Sequence, residues 1–282
     1  MNSKQSLLVL FLTVAVAVGW LVLVDTPEDT DSTSAAATSS ADSSSQADSS
    51  SQADGSSVAS DANQNESEPP APARVARVPP PVEDLPDFRS FTDTKAKKQA
   101  FFDYFRPIVA AENERMLAER EIVSGITNPD ELQPWCDEYR ADPCSQAELL
   151  THVDAIPMSM ALAQAAVESA WGTSRFAVQA NNFFGQWCFR EGCGLVPSQR
   201  SSGAHHEVQI FDHPDDAVRA YFHNINSHPA YEPARDIRLE AREHGHPALG
   251  SDMVGGLLSY SGIGEHYVDE LRSIIRVNKL TD

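Results

Sequence analysis

Apolar and polar positions fall into three regimes along the chain. Leu7 to Val24 is an unbroken run of eighteen uncharged residues, residues 25–68 are almost wholly polar, and beyond about residue 86 apolar positions recur at helical spacing. The first periodic stretch opens after Asp93, a capping residue. It carries Phe101, Phe102, Phe105, Ile108 and Val109 at three-four spacing, which predicts a helix to about Glu121. Further helices are predicted from Ser145 to His152, and from Pro157 to about Trp171 with Gly172 as the stop. Another opens at Asp212 or His213 ahead of Pro214, with Ala217, Val218, Tyr221, Phe222 and Ile225 on one face. The last uses Tyr267, Val268, Leu271, Ile274, Ile275 and Asn278 at the same period. Strand character is confined to Val208–Phe211 and Gly194–Val196, enough for one short hairpin. The expected fold class is therefore mainly α (α+β), with a small β element over a groove.

The apolar run has the length of a membrane crossing, since eighteen helical residues span roughly 27 Å. Lys4 precedes it and Asp25, Glu28, Asp29 and Asp31 follow, which favours an N-terminus inside and the rest translocated. A cleaved signal peptide is the competing reading, but small residues suited to cleavage first occur at Ala35-Ala36-Ala37. Residues 25–68 hold ten acids, fourteen serines and no Lys or Arg, and residues 43–54 repeat SSSQAD twice. Such a stretch cannot bury enough surface to offset the ordering of its backbone, so disorder is expected. Seven prolines between residues 69 and 86 then favour an extended spacer. The predicted organisation is an anchor over 1–24, a linker over 25–85 and a folded domain over 86–282. The domain would face the periplasm from the inner membrane, or be periplasmic if the segment is cleaved.

Charge narrows the partners. The chain carries 41 Asp+Glu against 21 Lys+Arg, a formal charge of −20, and the linker supplies half of it. Binding to phosphates depends on Lys and Arg displacing counterions, so nucleic acid is excluded as a partner. Four cysteines form two close pairs, Cys136 with Cys144 and Cys188 with Cys193. In a translocated chain this predicts two local disulfides. His205, His206, His213, His244 and His246 lack any recognised metal-site spacing, and no phosphate-binding Gly loop or Ser-centred G-x-S-x-G is present. No metal or cofactor is expected.

Ala155 to Val167 contains no charge, and Glu168 then stands at the predicted helix C-terminus. Partial negative charge at that helix end, together with apolar Val167 and Trp171, raises a carboxyl's pKa. A carboxyl still protonated near neutral pH suits a general acid for glycosidic cleavage. The run Gln164-Ala165-Ala166-Val167-Glu168-Ser169-Ala170-Trp171-Gly172, followed by Asn182-Phe183-Phe184-Gly185, resembles the glucosaminidase domain of bacterial peptidoglycan hydrolases, glycoside hydrolase family 73. Ser174-Arg175-Phe176-Ala177, Phe184-Gly185-Gln186-Trp187-Cys188 and His228-Pro229-Ala230-Tyr231 are similar to its Bax-type branch. The resemblance covers most of residues 86–282. It implies a lysozyme-like fold, a glycan in a groove, and Glu168 as general acid of an endo-β-N-acetylglucosaminidase.

The chain departs from the family at the second carboxylate, for which Glu207 is the better positional match and Glu191 the other candidate. Without such a carboxylate, the substrate's own acetamido group could serve as nucleophile. Trp171, Phe184 and Trp187 lie near the catalytic helix end, and Tyr260 and Tyr267 match the family's tyrosines before its last helix. With Gln164 and Asn182 they are the expected glycan-binding residues, because pyranose faces pack on aromatic rings. The alternatives are a lytic transglycosylase using the same single Glu, and a non-catalytic wall-binding protein.

Overall fold

The computed structural model describes residues 84–198, 200, 203 and 205–282. The expected anchor over 1–24 and nearly all of the linker lie outside them. Among the described residues no helix is long and apolar enough to cross a membrane.

The described residues are mainly helical with one small antiparallel sheet, the lysozyme-like architecture expected. Helix α1, Thr94–Gly125, starts where Asp93 accepts a hydrogen bond from the Ala96 amide at 2.7 Å. It buries Phe101, Phe102, Phe105, Ile108, Val109, Met116 and Val123. Helix α2, Gln133–Tyr139, and α3, Gln146–His152, follow, the latter capped by Ser145 on the Glu148 amide at 3.1 Å. The disulfide Cys136–Cys144 ties α2 to the chain just before α3. Helix α4, Met158–Glu168, is buried on most of its circumference, as its uncharged sequence predicts. Helix α5, Arg175–Ala180, leads into the sheet. After the sheet come α6, Pro214–Ser227, α7, Glu232–Glu243, the single turn α8, Gly250–Met253, and α9, Glu265–Val277.

The sheet has three strands where a hairpin was expected. β1, Trp187–Cys188, and β2, Gly194–Leu195, both pair antiparallel with the central β3, Glu207–Gln209. Trp187 and Leu195 sit opposite Val208, and Cys188 opposite Glu207. The second disulfide, Cys188–Cys193, closes the turn between β1 and β2.

Polar groups fix the helices around α4. Arg238, buried on α7, donates to the carbonyls of Thr151, His152, Asp154 and Ala155 and to Asn226 Oδ1, so one guanidinium gathers the α3–α4 connection. Burial pushes Arg238 down to about 10, with Asp154 acting the other way, and it stays cationic at neutral pH. Asp154 also binds Arg242 and lies 3.4 Å from Arg120. The Asp282 carboxylate takes the amides of Ser159 at 2.8 Å and Gly250 at 2.9 Å, pinning the start of α4 against α8. The start of helix α4 and the segment leading into it are thereby held in place.

Candidate active site

Helix α4 ends three residues sooner than Gly172 implied. The Trp171 amide bonds the Ala166 carbonyl at 2.8 Å and the Ala170 amide bonds that of Val167 at 3.2 Å, the paired bonds of a Schellman motif. Glu168 is therefore the last helical residue. Ala170 at φ 50°, Trp171 at 58° and Gly172 at 76° are all left-handed, two of them without the freedom of glycine. Ser169 holds the turn, its hydroxyl donating to the Ala165 carbonyl at 2.6 Å and accepting from the Gly172 amide at 2.8 Å. Gly172 has no room for a side chain, because a Cβ there would stand 2.2 Å from the Phe88 ring.

Glu168 is partly buried. Its Oε1 accepts the Tyr267 hydroxyl proton at 2.7 Å, and its Oε2 lies on the side of Gly185. Burial pushes the carboxyl up to about 7, the Tyr267 bond opposes this, and Glu270 adds a smaller push upward. A carboxyl with that balance holds its proton near neutral pH and can deliver it. Behind it, Tyr267 accepts from Gln164 Nε2 at 3.0 Å, and Gln164 Oε1 accepts from the Tyr221 hydroxyl at 2.6 Å. Gln164 and Glu168, four apart, share one face of α4, so both reach α9.

The Asn182–Gln186 turn faces them. Asn182 donates to the carbonyls of Gln186 and Gln209, each at 2.9 Å, and accepts from the Gln186 amide at 3.0 Å, clamping the turn to β3. Gly185 adopts φ 65° inside that turn. Tyr260 donates to the Phe184 carbonyl at 2.9 Å, stacks on Tyr267 with centroids 5.6 Å apart, and meets Tyr231 at 5.5 Å.

Gln164, Asn182, Phe184 and Tyr267, expected to touch the glycan, are instead buried. The polar atoms of Gln164, Asn182 and Tyr267 find internal partners, so these residues build the wall behind Glu168. Trp171 is held against α1, edge-on to Phe102 at 5.3 Å and under Lys98 Nζ at 4.6 Å. Trp187 and Tyr260 keep part of their surface open.

Glu207 lies in the sheet, its carboxylate accepting from the Gly194 amide at 2.8 Å and the Gly192 amide at 3.2 Å. These backbone donors hold it below the usual range, so it is ionised and braces the disulfide turn. Glu191 is exposed on that turn. The Cys188, Cys193 and Glu207 ligand-type atoms lie within 4.8 Å of one another, but the sulfurs are joined as a disulfide and offer no thiolate to a metal.

Three residues near the site were not among the expected site residues. Tyr221 sits at the apolar period of α6 and reads as core, so nothing signals that its hydroxyl meets Gln164. Phe189 is 76% exposed beside the disulfide. The His206 ring stacks on Trp187 with centroids 4.3 Å apart, and its Nε2 is buried without a hydrogen-bond partner among the described residues.

Residues 144–280 match a family model described as Glucosaminidase: Mannosyl-glycoprotein endo-beta-N-acetylglucosaminidase. The chain is similar to Protein bax of Escherichia coli (strain K12), 29% identical over 211 residues, which covers 69% of this chain and 74% of that protein. No solved structure matches significantly.

Proposed function

We propose that the chain is a peptidoglycan-acting glycosidase that hydrolyses the β-1,4 bond on the GlcNAc side of the wall glycan, a reading supported by its match to the glucosaminidase model and its similarity to Protein bax. The observation that supports this best is the state of Glu168, a partly buried carboxyl pushed up to about 7 with one oxygen held by Tyr267. In the reaction the Glu168 O–H bond breaks as its proton passes to the glycosidic oxygen and the C1–O bond opens. Water then adds at C1 as its proton passes to the Glu207 carboxylate, which leaves a reducing-end GlcNAc. Trp187 on β1 and Phe189, exposed just beyond that strand, would offer apolar surface to the sugar rings.

Glu207 is the proposed water-activating carboxylate, a role that requires one oxygen to leave the longer bond to the Gly192 amide. Substituting Glu207→Gln tests it: a base loses about 10²–10⁴-fold in rate, and a brace for the turn mainly loses stability. The engagement of both Glu207 oxygen atoms by backbone favours one second reading, a lytic transglycosylase that needs only Glu168. Mass spectrometry of fragments from purified peptidoglycan separates the two, reducing-end GlcNAc marking hydrolysis at the proposed bond and anhydro-MurNAc marking the transglycosylase.

The Leu7–Val24 segment is proposed as an inner-membrane anchor and residues 25–85 as a tether that lets the domain work in the periplasm. The anchor would keep the full-length chain in the membrane fraction after a high-salt wash, and release into the soluble fraction would contradict it.

A further inference from the structure

Four side chains from three helices form one run of hydrogen bonds that ends on Glu168. Tyr221 on α6 donates to Gln164 Oε1, Gln164 Nε2 donates to the Tyr267 hydroxyl, and Tyr267 on α9 donates to Glu168 Oε1. The run has a direction. A tyrosine hydroxyl holds one proton, and an amide has separate donor and acceptor ends. Once Tyr221 has given its proton to Gln164 Oε1, the amide can offer only its NH2 to Tyr267. Having accepted there, Tyr267 sends its single proton on to Glu168. A carboxyl proton on Oε1 would then meet the Tyr267 proton head-on. Gln164 and Tyr221 are 0% exposed and Tyr267 2%, so water cannot replace a link.

We propose that Gln164 is a positioning residue: with its amide set by Tyr221, it keeps the proton of Glu168 on Oε2, the oxygen on the Gly185 side, from which it is delivered. The inference rests on the reading of Glu168 as the acid and adds which oxygen carries the transferred proton. The other groups facing Glu168 do not supply this direction. Glu270 acts only through its charge, and Tyr260, Tyr231 and Tyr221 are pushed upward by burial and stay neutral through the assay range.

The test uses the full chain with Gln164→Met, which keeps length and removes both polar ends, and with Tyr221→Phe, which removes one oxygen and keeps the ring stacked on Phe184 at 4.2 Å. In Gln164→Met the Tyr267 hydroxyl is free to accept a proton from Oε1 as well as to donate, so the Glu168 proton is shared between two oxygens. Expected is a fall in kcat of about tenfold with KM within about twofold, less than the ~10²–10⁴-fold that a general acid contributes. The titration midpoint of the Glu168 side-chain carboxyl carbon, followed by NMR, should rise, because Tyr267 becomes a weaker donor to the carboxylate. Tyr221→Phe should move both readouts the same way by less. Folded variants with wild-type kcat and an unchanged midpoint would overturn the proposal. Should Gln164→Met fail to fold, an unchanged kcat and midpoint in Tyr221→Phe overturn it alone. A midpoint that shifts as expected in a protein that cleaves no glycan sustains the relay and removes the reading of Glu168 as a glycan acid.

Discussion

Glu168 is held between two opposed influences. Burial favours its neutral form and the Tyr267 hydroxyl favours its anion, with burial ahead, which leaves the carboxyl at about 7. An acid that must be protonated to work loses activity as pH rises through that value, so the alkaline limb of kcat/KM should bend near pH 7. Stability follows the same sign. A carboxyl raised from 4.5 to about 7 in the folded state binds its proton more tightly there, so its contribution is full below pH 4.5 and is lost as pH rises through 7. Glu168→Gln should therefore melt higher than the wild type at pH 8, by up to about 3 kcal/mol, and the two should converge near pH 4.5. Equal melting temperatures at pH 8 would mean that the carboxyl is not perturbed. Glu168 was legible because a charge closes an uncharged helix, where dipole and burial act together. The roles of Gln164, Asn182 and Tyr267 were not, because a buried polar side chain that braces a site and an open one that touches substrate look alike until their partners are known.

At the scale of elements, the end of α4 carries the most specific demands. Three consecutive left-handed residues turn the chain away from Glu168, and the Phe88 ring occupies the space above Gly172. Gly172→Ala combines a left-handed alanine with a clash against an aromatic ring. It should destabilise the domain by about 1–3 kcal/mol, or more, in denaturant unfolding. A loss below ~0.5 kcal/mol would show that Phe88 yields. The starts of α1, α3 and α6 were legible from Asp93, Ser145 and the His213-Pro214 pair, whose capping and first-turn chemistry is local. Helix α7 escaped because its apolar stripe is thin, Ala234, Ile237 and Ala241, while Arg235 and Arg238 are buried on hydrogen bonds that only the folded chain supplies. The strand Trp187–Cys188 escaped for a related reason, since two residues show no alternation and their pairing to Val208 and Glu207 is set by the fold.

Across the whole molecule the acidity divides by task. Half of the −20 charge belongs to residues 25–68, and of the many remaining carboxylates the structure sets Glu168 apart by raising its pKa near the turn that faces the sheet. The proposed tether and the proposed chemistry are separable. Shortening residues 25–85 should leave cleavage of purified glycan unchanged while reducing function in cells, and a matching loss on purified glycan would mean that the linker belongs to the enzyme. The proton carried by Glu168 is tested by the release of reducing ends from purified sacculi by the full chain and its Glu168→Gln variant. The variant should bind sacculi like the wild type and release fragments at least about a hundredfold more slowly, as loss of a general acid predicts. Release at the wild-type rate would mean that Glu168 is not the acid.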